Sequence, residues 1–288
     1  MSSFSGGPNP DHFLLRDHLW MTTAAVGVPV YDFDFRSFFE CRTPYQIPQG
    51  VPGVARIGAI KDYGSFFREC REMGVQLVHS PEDHLRCSSL PEWYPLIEAD
   101  TPRSCWYPSI PSLKEIQQSF SFPIFVKGSR QTSKHAAAAS IVRRPEDFEA
   151  VVGIFCQDPI LHWQEFVCRE LVDLRPVSGG EEGKIPASYE FRTFWWRGEL
   201  VGAGRYWHEA DDYRWTDLER AEALAVAGRA AKALGCVFLV VDIAQTVEGR
   251  WIVIECNDGM ESGYTGISPF SIWQRIIDLE AGGGSDGG

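Results

Sequence analysis

Two stretches in the last fifth of the chain combine apolar strand character with acids: Val240-Val241-Asp242-Ile243-Ala244 and Trp251-Ile252-Val253-Ile254-Glu255-Cys256-Asn257, separated by a turn around Val247-Glu248-Gly249. Read as adjacent antiparallel strands, each projects an acid, and Asn257 shares the face of Glu255 because side chains alternate with period two. Hard oxygen ligands on neighbouring strands are what Mg²⁺ bridging nucleotide phosphates requires. Asp242 taken alone reads rather as a solvated acid on a hairpin. Glu255 and Asn257, however, stand inside an apolar strand, where an unpartnered polar group is costly.

A second group is cationic. Lys127 closes the apolar run Phe122-Pro123-Ile124-Phe125-Val126 and precedes Gly128-Ser129-Arg130-Gln131-Thr132-Ser133-Lys134. A lysine at a strand end beside a Gly-Ser loop reaches a polyphosphate while backbone N–H groups approach it closely; it reads equally as a snorkelling surface lysine. In Glu190-Phe191-Arg192, alternation puts Glu190, Arg192 and Phe194 on one side and Phe191, Thr193 and Trp195 on the other, with Arg205 on the partner strand placed to join the first set. A guanidinium there stabilises charge on a transferring phosphoryl group. The plainer alternative is a cross-strand salt bridge with Glu190, worth little if exposed.

The sequence D-I-A followed by W-I-V-I-E-C-N-D-G resembles the closing metal-binding pair of the ATP-grasp superfamily, and the resemblance extends over residues 75–278. Members of that superfamily hold ATP with Mg²⁺ between two lobes, most often activating a carboxylate as an acyl phosphate that an amine attacks. The resemblance implies Lys127 and Arg192 on phosphate as the catalytic pair, joined by Arg205, and Asp242, Glu255 and Asn257 on metal. It implies the loop 128–134 closing over phosphate, the backbone of Gln164-Glu165-Phe166-Val167 pairing with adenine, and Glu170 on the ribose, with Glu165 or Asp173 as alternatives. The polar loop Asp258–Tyr264 is expected to face the second substrate, its glycines reading equally as turn residues. Many relatives carry a lysine before the central lobe, where this chain offers only Arg86. That departure resembles a divergent branch characterised by two arginines and one lysine, for which both peptide-type and RNA-ligase activities are conceivable.

The elements that must position these groups follow from hydrophobic pattern and punctuation. Residues 62–73 read as a helix ended by Gly74 and followed by a strand Val75–His79, an α/β rhythm that suggests a small layered N-terminal domain. Residues 80–112, rich in Pro, Ser and aromatics, predict an irregular connection. Beyond it come a helix at 112–119, strands ending at Lys127 and Val142, a helix from Pro145 to 156, and a strand over Ile160–Val167. Ser188–Trp196 and Glu199–Trp207 read as a hairpin, Asp217–Leu234 as a helix ended by Gly235, Cys236–Ala244 and Arg250–Asn257 as a strand pair, and Pro269–Leu279 as a last helix. The expected architecture is α+β with an α/β-like N-terminal part: an N-terminal pre-ATP-grasp domain over 1–105, an ATP-grasp domain over 106–280 with lobes at 106–170 and 185–280, and a disordered tail over 281–288.

Composition bounds the alternatives. With 288 residues, 44% of them apolar and 23% charged, the chain is globular and excludes collagenous, low-complexity and largely disordered classes. The net charge of −12 weighs against broad adhesion to nucleic acid, although Arg130, Lys134, Arg143 and Arg144 begin a local basic groove. Eight cysteines without a C-x-x-C pair indicate reduced thiols, not a zinc knuckle or disulfide framework, and the seven histidines are dispersed without metal spacing. The sequence has no Gly-x-Ser-x-Gly elbow, Walker loop, His-Glu-x-x-His or Gly-x-Gly-x-x-Gly. Its start lacks the basic flank of a signal peptide and no run reaches the ~18 apolar residues of a membrane span, so a cytoplasmic protein with no membrane partner is expected. Three functions follow in order: an ATP- and Mg²⁺-dependent ligase of small-molecule or peptide carboxylates and amines, an ATP-dependent RNA-end ligase, and a non-catalytic ATP-binding module.

Overall fold

The computed structural model describes residues 11–23, 33–132, 140–179 and 183–283. Three four-stranded sheets carry the chain. The first contains β1 (Asp11–Leu15), β2 (Leu19–Thr23), β3 (Cys41–Arg42) and β4 (Gly53–Arg56) in the order β3-β1-β2-β4, with only β2 and β4 parallel; a single turn, α1 (Phe35–Phe38), precedes β3. Three helices follow, α2 (Tyr63–Glu72), α3 (Pro81–Ser88) and α4 (Leu90–Ile97).

The second sheet, order β5-β8-β6-β7, is built from β5 (Ser104–Tyr107), β6 (Ile124–Gly128), β7 (Ile141–Val142) and β8 (Phe166–Glu170), all antiparallel. Helices α5 (Leu113–Ser119) and α6 (Phe148–Gln157) cover it, and Ile116, Phe148, Val151 and Phe155 join its buried face. The third sheet, order β10-β9-β11-β12, comprises β9 (Glu190–Trp196), β10 (Glu199–Arg205), β11 (Phe238–Gln245) and β12 (Trp251–Asp258), again antiparallel. With it go α7 (Asp217–Leu234) and α8 (Pro269–Gly283).

Both faces of the third sheet are buried. Phe194, Trp196, Phe238 and Val240 pack with Trp273 and Ile276 of α8 and with the first sheet, while Phe191, Trp195, Leu239 and Val241 pack with α7 and with Trp93 and Tyr94 of α4. Such a sheet is a rigid platform, because neither face is free to adjust to solvent. Helix α7 is closed at both ends: the Thr216 hydroxyl accepts from the Glu219 N–H at 3.2 Å, and Gly235 ends it at φ 62. Among the described residues no helix is long and apolar enough to cross a membrane.

Four expectations change. Residues 81–97 are helical where an irregular connection is predicted, because Pro81 and Pro91 stand in first turns, where a missing N–H costs nothing; Ser80 and Asp83 form a reciprocal capping box, with the Asp83 N–H donating to the Ser80 hydroxyl at 3.1 Å. The strand expected at Val75–His79 reduces to one parallel bridge between Gly53 and Leu77. The strand expected from Ile160 begins only at Phe166, because Asp158 Oδ1 accepts from the N–H groups of Ile160 and Leu161 (2.8 and 3.0 Å) and turns Leu161–Trp163 into a short 3₁₀ segment. Of the tail expected to be disordered over 281–288, residues 281–283 instead end α8, and 284–288 lie outside the described residues.

Gly259, just beyond β12, approaches so near the buried Phe238 ring that a Cβ there would stand about 2.5 Å from ring carbons. Gly259→Ala is expected to lower the unfolding free energy by roughly 1–3 kcal/mol. Urea denaturation checks this, and an unchanged midpoint would contradict the tight packing.

Candidate active site

The second and third sheets face each other across a cavity of about 340 Å³. Its walls are largely apolar, with Phe125, Ile141, Leu171, Leu174, Trp207 and Ile254 prominent, and its polar groups include Lys127, Arg169, Glu170, Asp173, Glu190 and Glu255. An apolar slot with a few convergent charges has the build of a small-molecule site.

The charges are set by two β-bulges. The β11–β12 hairpin pairs Gln245 with Trp251 and Ile243 with Val253, so a regular register would leave Glu255 opposite Val241, on the face away from Asp242. A bulge at Ile254 shifts the ladder by one residue and puts Glu255 directly opposite Asp242 and Asn257 opposite Val240. On the other side of β11, Asp242 pairs with Arg192 of β9. Arg192 grips that carboxylate with both arms, Nε to Oδ1 at 2.8 Å and Nη2 to Oδ2 at 2.7 Å, and its Nη1 donates to the Gly263 carbonyl at 2.8 Å. The ring of Tyr206 lies 4.9 Å from the guanidinium. Burial works against the Arg192 charge, but Asp242 outweighs it and holds the guanidinium above its ordinary pKa. Lys127 pairs with Glu255 across the cleft. Lys127, Arg192, Asp242 and Glu255 are all buried, so each ion pair is well shielded from water and costly to break on one side only.

The donors expected for Mg²⁺ fit it. Asp242 and Glu255 offer carboxylate oxygens from directly opposed positions, and Asn257 is a buried amide whose Nδ2 has no hydrogen-bond partner, so no protein acceptor claims it. Two carboxylates and an amide are a hard-oxygen set of the kind Mg²⁺ takes when phosphates complete its shell.

Several expected residues fall elsewhere. Gln164, Glu165, Phe166 and Val167 do not line the cavity; β8 is flanked by β5 and β6, so the Val167 backbone faces Trp106 and Lys127, and Phe166 is core. This segment reaches the cavity only at the end of β8 and beyond it, from Arg169 through Leu174, with Glu170 and Asp173 among the lining residues. The Gln164 side chain instead anchors the loop after β6: its Oε1 accepts from the N–H groups of Arg130 (2.7 Å) and Gln131 (3.0 Å). That part of the expected phosphate loop is fixed, while Ser133 and Lys134 lie outside the described residues. Arg205 is turned away by the second bulge, between Leu200 and Gly202, which moves it from opposite Glu190 to opposite Phe191, and it pairs with Asp212 at 2.5 Å. Arg86 pairs with Asp83 and donates to the Leu234 carbonyl at 2.8 Å, on α3 and not among the cavity residues.

The loop after β12 is held inside, not left flexible. Asp258 Oδ2 receives His79 and His84, each at 2.9 Å from Nδ1. The Phe238 N–H donates to His79 Nε2 (3.0 Å) and Arg130 Nη2 to His84 Nε2 (2.7 Å), so in both imidazoles the proton sits on Nδ1 and is donated to Asp258. Arg130 also pairs with Glu261 at 3.0 Å, and Arg56 donates to the carbonyls of Gly259 and Ser262 at 2.6 and 2.9 Å. This network links the N-terminal sheet, the loop after β6 and the end of the metal-donor strand. Nothing local announces it, since the histidines stand 174 and 179 residues from their acid. Tyr206 and Trp207 also escape a local reading; Trp207 Nε1 donates to Glu190 at 3.0 Å, and alternation from Gly204, the partner of Arg192, puts Tyr206 on the arginine's face.

Comparison with known proteins identifies the family and the fold. Residues 98–276 match the ATP-grasp domain, family 3 of the clade designated by two arginines and one lysine, and the chain belongs to that family. Among solved structures, the VanG D-Ala:D-Ser ligase from Enterococcus faecalis superposes with a TM-score of 0.57 at 16% identity, covering 82% of this chain and 74% of that one. The D-alanine-D-alanine ligase from Coxiella burnetii gives 0.59 at 14% identity, over 80% and 67% of the two chains. A RimK domain ATP-grasp protein from Sphaerobacter thermophilus gives 0.54 at 14% identity, over 83% and 85%. The shared fold is the two-lobed α+β ATP-grasp architecture. No curated protein sequence matches significantly.

Burial raises the Asp258 carboxyl pKa, but its interactions with His79 and His84 outweigh burial and hold it below the ordinary value. A folded pKa depressed below the unfolded one gives stability that is present above the unfolded value, about 4, and lost as pH falls through the folded one. Asp258→Asn is therefore expected to cost about 1–3 kcal/mol at neutral pH. The difference from wild type should shrink as pH drops below about 4. Denaturation curves at about pH 7 and pH 3 check this; an equal gap at both would refute the assignment.

Proposed function

We propose that the chain is an ATP- and Mg²⁺-dependent ligase that joins a carboxylate to an amine. One observation carries the reading: on the wall of an apolar, nucleotide-sized cavity Lys127 is paired with Glu255, and directly opposite Glu255 on the next strand Asp242 holds the second cation suited to phosphate, Arg192. Without ligand these four charges satisfy one another. With ATP and Mg²⁺ in place, Lys127 and Arg192 exchange carboxylate oxygens for phosphate oxygens, and Asp242, Glu255 and Asn257 hold the metal.

The apolar walls take the base, and Glu170 or Asp173 of the lining takes the ribose hydroxyls. Mg²⁺, when bound, supplies neutralisation of phosphate charge. Arg192, held rigidly on β9 with Tyr206 against its face, presents its fork to the transferring phosphoryl group. A substrate carboxylate oxygen attacks the terminal phosphorus as the bond to ADP breaks, giving an acyl phosphate. The amine then attacks the acyl carbon, phosphate leaves and the amine loses a proton. The protein's contribution is orientation and charge stabilisation in a largely apolar cavity.

The two D-alanine ligases named above are, by their titles, amino-acid-joining enzymes, which favours amino-acid or peptide substrates here. Of the basic groove that an RNA-end ligase needs, Arg130 is buried against Glu261 and Arg144 pairs with Asp147 at 3.4 Å, Arg143 lines the cavity, and Lys134 lies outside the described residues.

Incubation with ATP, Mg²⁺ and a pool of amino acids is expected to yield ADP and phosphate, read by nucleotide separation, whereas 5′-phosphorylated RNA yields nothing. Asp242→Asn and Glu255→Gln should each slow turnover at least ~100-fold, with folding retained. AMP formed with RNA, or turnover insensitive to both substitutions, would overturn the reading.

A further inference from the structure

The buried cations in and beside the cavity are not all matched. Arg192 has Asp242 and Lys127 has Glu255, but Arg169, on β8 and only 5% exposed, has no carboxylate within ion-pair distance among the described residues. Its hydrogen bonds go to neutral acceptors: Nε to the Ser104 hydroxyl at 3.0 Å, Nη1 to the Ile254 carbonyl at 2.6 Å, and Nη2 to the Thr101 hydroxyl at 2.7 Å. The Thr101 and Ser104 hydroxyl protons are already committed, to the carbonyls of Val253 (2.8 Å) and Pro102 (2.9 Å), so these groups serve Arg169 purely as acceptors. The guanidinium is thereby clamped on three sides, with one N–H left on each terminal nitrogen. A buried charge held this way without an ion-pair partner is costly: burial pulls its pKa down to about 10, and the field of Glu255, already engaged by Lys127, offsets this only in part. The group still carries its charge at neutral pH. It lines the cavity, which is where a counter-charge has room to enter.

Its place along the strands says which anion. Residues Glu170–Leu174, just after Arg169, line the apolar part of the cavity, while Lys127 and Glu255 mark the end where phosphate is proposed to sit. On the paired strands Arg169 stands opposite Phe125, one step along the same face from Lys127 and its partner Val167. It therefore lies between the base and the transferring group. We infer that Arg169 binds the phosphate nearest the nucleoside, supplying from β8 the cation that Arg86 is too remote to provide. This rests on the nucleotide reading above.

The competing role is a staple: through the Ile254 carbonyl, Arg169 also holds the bulge that aims Glu255. Calorimetric titration without Mg²⁺ separates the two, because the Glu255 metal role is then silent. Arg169→Met is expected to weaken AMP and ADP binding roughly 10- to 100-fold while adenosine binding stays within about twofold. Arg169→Lys, which keeps a cation but loses the fork, should restore part of the AMP affinity. An adenosine affinity that falls as far as that of AMP, or an AMP affinity that does not fall, overturns the inference. Should Arg169→Met fail to fold, Arg169→Lys carries the same comparison. If the wild-type chain binds no adenine nucleotide, the ligase reading fails, and pyrophosphate becomes the probe: a melting-temperature rise in wild type that Arg169→Lys loses supports the anion role, and no rise in wild type refutes it.

Discussion

A single extra residue, Ile254, decides whether Glu255 and Asn257 join Asp242 on one face of the third sheet. Strand side chains change face with every residue, so the hairpin's regular register would put Asp242 and Glu255 on opposite sides of the third sheet. The bulge brings Glu255 level with Asp242 and leaves the Ile254 carbonyl to receive Arg169. The Lys127–Glu255 pair, the hard-oxygen donor set and the alignment of Asn257 depend on that one-residue shift, whereas the Arg192–Asp242 pair is set by the regular β9–β11 register. A bulge can bear this role because both faces of the sheet are packed against helices and the first sheet, which leaves the ladder little freedom to slip back.

Much of this is legible in the sequence because it is local. The strands around Asp242 and Glu255, the Arg197-Gly198 hairpin, the capped helix at 217–234 and the strand ending in Lys127 all declare themselves through alternation, turn residues and caps within a dozen residues. The prolines at 80–97 mislead because the same residue type marks opposite events: Pro81 and Pro91 stand in helix first turns, where they are starts and not breaks, and Ser80-x-x-Asp83 is the cue that tells the two apart. Arg205 misleads for the opposite reason. Its neighbours are regular, but a bulge at Leu200–Gly202, unmarked in the local pattern, reverses the face it presents.

What stays hidden is what depends on residues far apart in the chain. His79 and His84 are two scattered histidines until the fold delivers Asp258 between them, and their tautomers are then dictated by the Phe238 N–H and Arg130 on the far side of each ring. Gln164 similarly reads as a residue of the segment between lobes; only the return of the loop after β6 shows it as that loop's anchor. Such contacts leave no periodicity, because each needs one polar atom to meet another and not a face to meet a face.

The two ion pairs of the site differ in what breaking them does. Arg192 and Asp242 lie on neighbouring strands of one sheet, so exchanging their partners leaves the third sheet's ladder intact. Lys127 and Glu255 belong to different sheets, and their bond ties the two walls of the cleft together. In the proposed function, drawing Lys127 to phosphate and Glu255 to metal would remove that tie, which the bound nucleotide and metal would have to replace. Arg169 ties the same two walls through the Ile254 carbonyl and the Thr101 hydroxyl, which itself donates to Val253, using bonds to neutral groups that no charged ligand competes for. Two kinds of link therefore join the walls, one ionic and one neutral, and the proposed exchange would break only the ionic one, leaving the bulge held in register.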